Sequence, residues 1–310
     1  MTLPLNDRYR GALLGLAVGD ALGTTLEFTE PGTFAPIADM VGGGPFNLRA
    51  GQWTDDTSMA LCLATSLTET RRFDTHDQMN RYGKWYKEGY LSSRLGHCFD
   101  IGVTTSQALD SFLTTGQPIS GSADRTKAGN GSLMRLAPVP MFLRKKAAEA
   151  IDKSGVSSTT THAAPQAVDA CRYFAYLLLL AFEGKRKDEI CADHSRSSLW
   201  NQASLDGEVI SVARGTFKTK QPPEIVTSGY VIKTLEAALW AFYHSESFEE
   251  GALKAVNLGN DPDTVGAVYG QIAGAYYGGS GISEPWLAKL YMRQEITQLA
   301  DELHNLSQQQ

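Results

Sequence analysis

The sequence contains no Cys-x-x-Cys pair and no zinc-type spacing among its four cysteines, Cys62, Cys98, Cys171 and Cys191. A cysteine-based zinc site is thereby excluded as an organising device. Cys62 and Cys171 fall in apolar helical contexts, where a free thiol behaves as a small core residue. A reduced, cytoplasmic protein is the expectation. Long hydrophobic runs are missing as well. The longest, Tyr173 to Phe182, is too short to span a bilayer. The apolar run from Ala12 to Val18 is followed by Asp20 and has no basic lead-in of the kind a signal peptide needs. Positive charge is scarce: the net charge is −6, and no basic patch compensates for it, which argues against nucleic acid as the main partner. Arg144-Lys145-Lys146 and Lys185-Arg186-Lys187 are short and read as solvated helix ends. Alternating strand patterns are few, and Val209 to Ala213 is too short to decide between helix and strand. No strand–helix–strand rhythm and no solenoid repeat occurs. What remains is a globular composition, 42% apolar and 20% charged. An all-α chain is expected, one domain over residues 1–310 with the segment 303–310 at its periphery.

Against that background two acidic stretches stand out. One is Trp53-Thr54-Asp55-Asp56-Thr57-Ser58; the other, some two hundred residues later, is Gly259-Asn260-Asp261-Pro262-Asp263-Thr264. Each precedes a helix-like apolar segment, so each also reads as an ordinary set of helix caps. Asp261 followed by Pro262 suits an N-cap with proline in first position. If the two stretches meet, Asp55, Asp56, Asp261 and Asp263 bring four negative charges together. Each like-charge pair at ~5 Å and an effective dielectric of ~20 costs about 3 kcal/mol. Hard oxygen donors without His or Cys favour Mg²⁺, Mn²⁺ or Ca²⁺, and two divalent ions would neutralise four carboxylates.

Glycines mark the helices that could bring the stretches together. Gly11, Gly15, Gly19 and Gly23 recur every fourth residue in a helix expected from a capping pair at Asn6-Asp7 to about Leu22. Gly266, Gly270, Gly274 and Gly278 repeat the device after the second acidic stretch. Each glycine costs a helix about 0.8–1 kcal/mol against alanine. A stripe on one face implies close backbone approach. Further helices are expected near Thr75–Tyr90, Thr104–Phe112, Pro165–Phe182 and Gly229–Tyr243. Residues 29–52 read as a long, functional loop, and Gly121–Arg135 as irregular.

The blocks Gly19-Asp20-Ala21-Leu22-Gly23 with Glu27 behind it, Gly43-Gly44-Pro45-Phe46, Gly51 through Thr57, Asp100-Ile101-Gly102, Gly129 through Arg135, Thr161-His162, Ser228-Gly229-Tyr230 and Leu258 through Thr264 resemble, in order, the ADP-ribosylglycohydrolases. The bacterial dinitrogenase-reductase-activating members are the most similar in pattern. The resemblance covers about Asp7 to Gly279. It implies an all-α, multi-helix orthogonal bundle with a binuclear Mg²⁺ or Mn²⁺ centre held by Thr54, Asp55, Asp56, Asp261, Asp263 and Thr264. It implies hydrolysis of the N-glycosidic bond between ADP-ribose and an arginine of a modified protein, with ADP-ribose as product. Glu27 would be a loop glutamate near the metals, Asp100 a general acid or base and Asp55 part of the catalytic group. Gly129, Asn130, Gly131 and Ser132 would present N–H groups and small side chains to the pyrophosphate, with Met134 and His162 beside them and Tyr230 stacking on adenine or ribose.

Two departures from the family pattern stand near the site. Val103 occupies a position often filled by Asn, and Asn260 and Pro262 stand where Gly and a small residue are usual. Loss of the amide at Val103, near the scissile bond, is expected to bear on substrate choice or rate; neither Asn260 nor Pro262 removes an oxygen ligand. A hydrolase acting on O-linked or small-molecule ADP-ribose conjugates, and a non-enzymatic ADP-ribose-binding or structural member, are the competing readings. The target protein, any regulatory partner, the oligomeric state and the route of the reaction are not written in the sequence.

Overall fold

Two glycine stripes lock together at the centre of the molecule. In the structure, a computed structural model that describes residues 3–197 and 205–309, the fourteen α-helices are α1 (Leu5–Gly23), α2 (Asp55–Thr70), α3 (Thr75–Glu88), α4 (Val103–Thr115), α5 (Pro138–Phe142), α6 (Ala147–Thr159), α7 (Pro165–Phe182), α8 (Lys187–Ile190), α9 (Gly207–Ala213), α10 (Val231–Tyr243), α11 (Phe248–Val256), α12 (Pro262–Tyr277), α13 (Glu284–Lys289) and α14 (Arg293–Ser307). A Cβ added at Gly11 would stand 2.1 Å from the carbonyl oxygen of Gly274, at Gly15 2.3 Å from that of Gly270, and at Gly19 1.9 Å from that of Gly266. The numbers rise along α1 as they fall along α12, so the helices run antiparallel. Each glycine faces a carbonyl of the other helix, close enough that only hydrogen fits between them.

The rest of the chain wraps this pair. From Gly11 to Gly23 every residue of α1 is buried, as befits a helix apolar all round. α14, α2 and α11 pack on α1, while α10, α11 and α7 pack on α12. Among the described residues there is no strand, only three isolated bridges. No described helix is long and apolar enough to cross a membrane.

Local details depart from expectation. The first helix is not capped by Asn6-Asp7: Pro4 is its N-cap, and the Asp7 carboxylate instead accepts from the N–H and hydroxyl of Ser280. Val209–Ala213 is helical, within α9, capped by Asp206. The C-terminal segment is not wholly peripheral. Leu303 and Ser307 are fully buried, because α14 lays one apolar face on α1 that continues through Ile296 and Ala300; Gln308 and Gln309 are exposed. Lys187 is not solvated either. Its ammonium donates to the carbonyl of Ser245 and lies over the rings of Phe242, Tyr276 and Tyr277.

Candidate metal centre and ligand cleft

The antiparallel register decides which ends meet. Gly23 at the end of α1 abuts the backbone of Asp263 at the start of α12, 2.3 Å from an added Cβ to the Asp263 Cα. Asp20, one turn earlier, is the sole charged residue in the buried stretch Gly11–Gly23. Its carboxylate accepts from the N–H and hydroxyl of Thr54 (2.9 and 2.9 Å) and from the N–H and hydroxyl of Thr57 (3.0 and 2.6 Å). The first turn of α2 is thus capped by an acid from another helix. Thr54, the N-cap by position, caps nothing with its own side chain, and neither does Asp261 at the start of α12. One Asp261 oxygen instead accepts from the Asn130 amide at 2.7 Å, and the same amide donates to Thr234 at 2.8 Å. The two acidic stretches begin their helices but leave capping to others, so their carboxylates are free for another task.

Two of those carboxylates, Asp56 and Asp263, converge with acids from elsewhere in the chain, while Asp55 and Asp261 line the cleft outside these groups. Oxygens of Asp20, Asp56 and Asp263 lie within 4.8 Å of one another, and so do oxygens of Glu27, Asp100 and Asp263. Asp263 belongs to both groups, which gives two adjoining positions rather than one. The Thr54 hydroxyl sits 3.2 Å from Asp56 Oδ2 and 3.5 Å from Asp263 Oδ2. Above this floor opens a cleft of about 800 Å³, lined among others by Glu27, Asp55, Asp100, Asp261, Asp263 and Thr264.

The electrostatics call for a cation. Burial first, then the neighbouring carboxylates, hold the pKa values of Asp55, Asp56 and Asp263 well above the ordinary range. The same causes push Glu27 to about 10, with Asp100 its strongest neighbour, and burial raises Asp100 to about 7. The neighbouring charges that act most on these groups are other acids, and among the described residues none of them forms an ion pair with a lysine or arginine. The N-termini of α2 and α12 contribute positive dipole ends, each worth about 0.3–1 kcal/mol, far less than the repulsion. Asp56 Oδ1 and Glu27 Oε2 are buried without any hydrogen-bond partner. Orphaned acceptors, an all-oxygen donor set and no nitrogen or sulfur ligand fit hard divalent cations.

A pH dependence follows with a definite sign. A carboxyl whose folded pKa is raised binds more protons in the folded chain than in the unfolded one, between the unfolded value near ~4 and the folded value. Metal-free protein therefore loses stability as the pH rises from about 5 to about 8. Added Mg²⁺ or Mn²⁺ raises the melting temperature more at the upper end than at the lower, since only ionised carboxylates bind it. Thermal melts with chelator and with metal at both pH values check this; a metal-induced gain no larger at pH 8 than at pH 5 goes against it.

The far wall of the cleft has the opposite character. Gly129, Asn130, Gly131, Met134 and His162 line it. The segment is held by Asn130 N–H to the Gly229 carbonyl at 3.1 Å, Val231 N–H to the Ala128 carbonyl at 3.1 Å, and Leu133 and Met134 N–H to the Asn130 carbonyl. Among the described residues, the N–H groups of Gly131 and Ser132 bond to no protein acceptor. Ser132 itself does not line the cleft: its buried hydroxyl meets Ser158 and Cys171. Tyr230 also stands back from the lining, its hydroxyl donating to Glu208 at 2.8 Å. Three non-glycine residues around the mouth have left-handed backbones: Phe28 (φ 58°), Asp100 (φ 60°) and Asn260 (φ 58°). Such conformations cost about 1–3 kcal/mol and persist where surrounding structure imposes them. Here Phe28 N–H donates to the Asn260 carbonyl and Asn260 N–H to the Thr29 carbonyl, both at 2.8 Å, joining the Glu27 loop to the Asp261 loop.

The ADP-ribosylglycohydrolase family model matches residues 1–310. The chain belongs to that family. As an ADP-ribosylglycohydrolase it is 43% identical over 297 residues to the ADP-ribosylarginine hydrolase Tri1 of Serratia proteamaculans, covering 96% of this chain and 79% of that protein. It is 45% identical over 303 residues to the Tri1 of Pseudomonas putida, covering 98% and 79%. The ADP-ribosyl-[dinitrogen reductase] glycohydrolase of Rhodospirillum rubrum, the type that the motifs suggested, is 30% identical over 300 residues, covering 95% and 94%. A solved structure described as an ADP-ribosylglycohydrolase-related protein complex superposes with a TM-score of 0.86 at 44% identity, covering 98% of this chain and 99% of that one.

In this ADP-ribosylglycohydrolase the sequence signals and the geometry differ most at Asp20. The sequence shows it as part of a block, and it emerges as the acid that caps the start of α2. A lone carboxylate in a fully apolar, glycine-striped helix is the signal that could have found it. The long loop 29–52 contributes nothing to the cleft lining. It braces Glu27 from outside instead: Gly44, at φ 64°, packs its Cα side against the Thr24 carbonyl, and the Thr25 hydroxyl donates to the Gly42 carbonyl. Val103 lies at the cleft rim, 71% exposed.

Proposed function

We propose that this chain hydrolyses the N-glycosidic bond between ADP-ribose and an arginine side chain of a modified protein. The observation that carries the reading is the pairing, in one cleft, of an acidic floor with a glycine loop whose Gly131 N–H has no acceptor among the described residues. Those ends suit the two ends of a single ligand: a ribose beside the carboxylates that would hold divalent cations at one, and a pyrophosphate at the other. Family membership and the names of the 43–45% identical relatives support the same substrate.

Thr54, Asp55, Asp56, Asp261, Asp263 and Thr264 are the residues that would hold two divalent ions, Mg²⁺ or Mn²⁺. When bound, such ions supply positive charge that orients the ribose hydroxyls and favours ionisation of water. The chain's own groups do the rest. Asp20 and Asn130 position ligand residues of both stretches from behind. Asp100, on its constrained backbone and with its pKa raised to about 7, can hold a proton near neutrality for the departing guanidine nitrogen. Glu27 has a carboxylate oxygen within 4.8 Å of one of Asp100's, and its hydrogen bond opposes the rise that burial imposes on Asp100. The Gly131 N–H, with His162, holds the phosphates away from the acidic floor. Overall, water adds to the anomeric carbon as the carbon–nitrogen bond breaks, and the guanidine leaves protonated.

Incubation with arginine-linked and serine-linked ADP-ribosylated proteins tests the reading. Release of ADP-ribose from the arginine-linked protein is expected with Mn²⁺ or Mg²⁺ and is abolished by chelator. Release from serine-linked protein alone would move the assignment to O-linked conjugates. Binding of ADP-ribose with no release from either would make the chain a binding protein.

A further inference from the structure

A cation with no counter-ion among the described residues is buried behind the glycine loop. Arg135 is 1% exposed, and neutral groups take up its guanidinium. Nη1 donates to the Gly131 carbonyl at 2.7 Å; Nη2 donates to the hydroxyls of Thr161 at 2.8 Å and Thr160 at 3.2 Å. The Tyr82 ring covers one face at 4.7 Å. Burying an arginine among neutral partners is unfavourable unless its placement serves another end.

Thr161 passes the effect on. Its hydroxyl oxygen accepts from Arg135 and lies 2.9 Å from Nδ1 of His162. The hydroxyl has one proton, and among the described residues Nδ1 is the acceptor it can reach. An Nδ1–H tautomer would direct two donated hydrogens, from Arg135 and from the ring, at one oxygen and leave the hydroxyl proton unpaired. Nδ1 is therefore bare, and the ring proton sits on Nε2. Burial, then the charge of Arg135, push the His162 pKa down to about 3. The ring is neutral at working pH and has one proton to donate. Its Nε2 edge lies over the glycine loop, 3.0 Å from where a Gly129 Cβ would stand, while Cε1 lies 2.8 Å from the corresponding point on Gly131. Among the described residues no protein acceptor bonds Nε2, and His162 lines the cleft.

We infer that Arg135 is a positioning residue for the anion end of the cleft: it pins the Gly131 carbonyl from behind and, through Thr161, holds His162 as a neutral Nε2–H donor to the pyrophosphate of ADP-ribose. This rests on the proposed function for the identity of the anion. Its geometric half needs no ligand.

Histidine-selective ¹⁵N NMR on the full chain, with His162→Gln to assign the signal, reads the tautomer directly. Wild-type protein should show a protonated Nε2 and an unprotonated Nδ1, unchanged from about pH 5 to pH 8. Thr161→Val keeps the shape and removes the hydroxyl; it should give mixed tautomers and weaken ADP-ribose binding about tenfold by calorimetry. Thr161→Ser should restore both. Arg135→Met should weaken binding at least as much as Thr161→Val. An Nδ1–H tautomer in wild type overturns the inference, as does a Thr161→Val protein with wild-type tautomer and affinity, or a Thr161→Ser protein as weak as Thr161→Val. Wild-type protein with the Nε2–H tautomer that binds inorganic pyrophosphate but not ADP-ribose would keep the positioning role and overturn the functional reading instead.

Discussion

Asp263→Asn and Asp55→Ala proteins will lose metal and activity together while gaining, not losing, stability in the absence of metal. Asp263 supplies an oxygen to both carboxylate groups, so one substitution weakens both candidate ion positions. Changes outside a metal's direct ligands already cost about 10–100-fold in affinity or activity; loss of this ligand is expected to exceed that. The stability result has the opposite sign because the removed charge is buried among like charges. Each pair of carboxylates near 5 Å costs about 3 kcal/mol at an effective dielectric of ~20. Metal-free Asp263→Asn protein should therefore melt at or above metal-free wild type at pH 8. With Mn²⁺ the order reverses, since only wild type gains. Metal content by elemental analysis, melts with and without chelator, and ADP-ribose release measure all three. Either variant keeping wild-type metal content and activity would remove that residue from the ligand set.

The glycine stripe carries the largest effect on stability. Gly15→Ala or Gly270→Ala places a methyl group 2.3 or 1.9 Å from a carbonyl oxygen of the opposing helix. No side-chain rotation relieves a clash between backbones, so α1 and α12 must move apart along much of their length. Ordinary overpacking costs about 1–3 kcal/mol. Here a loss beyond about 3 kcal/mol is expected, out of a total of the order of 5–15 kcal/mol. The control is Gly83 in α3, where an added Cβ meets only the Leu113 side chain at 3.5 Å. Gly83→Ala should stabilise by about 0.5–1 kcal/mol, as helix propensity dictates. Denaturant unfolding of the three variants decides. Equal effects at Gly15 and Gly83 would mean that the helices are not locked through the stripe. Both chosen glycines of the stripe lie away from the acidic residues, so a change in metal affinity would be secondary to the helix separation.

Much of this molecule is legible in one dimension. The four-residue glycine period states that two helices approach closely, because helical geometry puts every fourth residue on one face. The helix over Pro165–Phe182 matches α7 at both ends, since proline opens it and the apolar period runs unbroken. Helix starts were harder. Asn6-Asp7 has the composition of a cap, yet Asp7 finds Ser280, residues away in sequence and adjacent in space. Capping groups can be donated by another helix, as Asp20 does for α2, and no local pattern reports that. Ser132 and Tyr230 illustrate the same limit at the cleft: small or aromatic type suggests a ligand contact, but the direction of the side chain is set by Ser158 and Glu208.

Residue types and spacing alone determine the all-helical class, the glycine-mediated pairing of two helices, the hard-oxygen chemistry of the two acidic stretches and the motif order of the family. These are properties of composition and periodicity. The tertiary structure decides the rest. Only the antiparallel register of α1 on α12 brings Asp263 to Asp20 and the start of α2, turning two distant stretches into overlapping carboxylate groups. Only packing reveals that Asp20 takes over the capping, that Asn130 serves Asp261, and that a buried arginine stands behind the glycine loop. The reason is physical: a carboxylate's partners are fixed by distances of a few ångströms between segments hundreds of residues apart, and chain order carries no record of them.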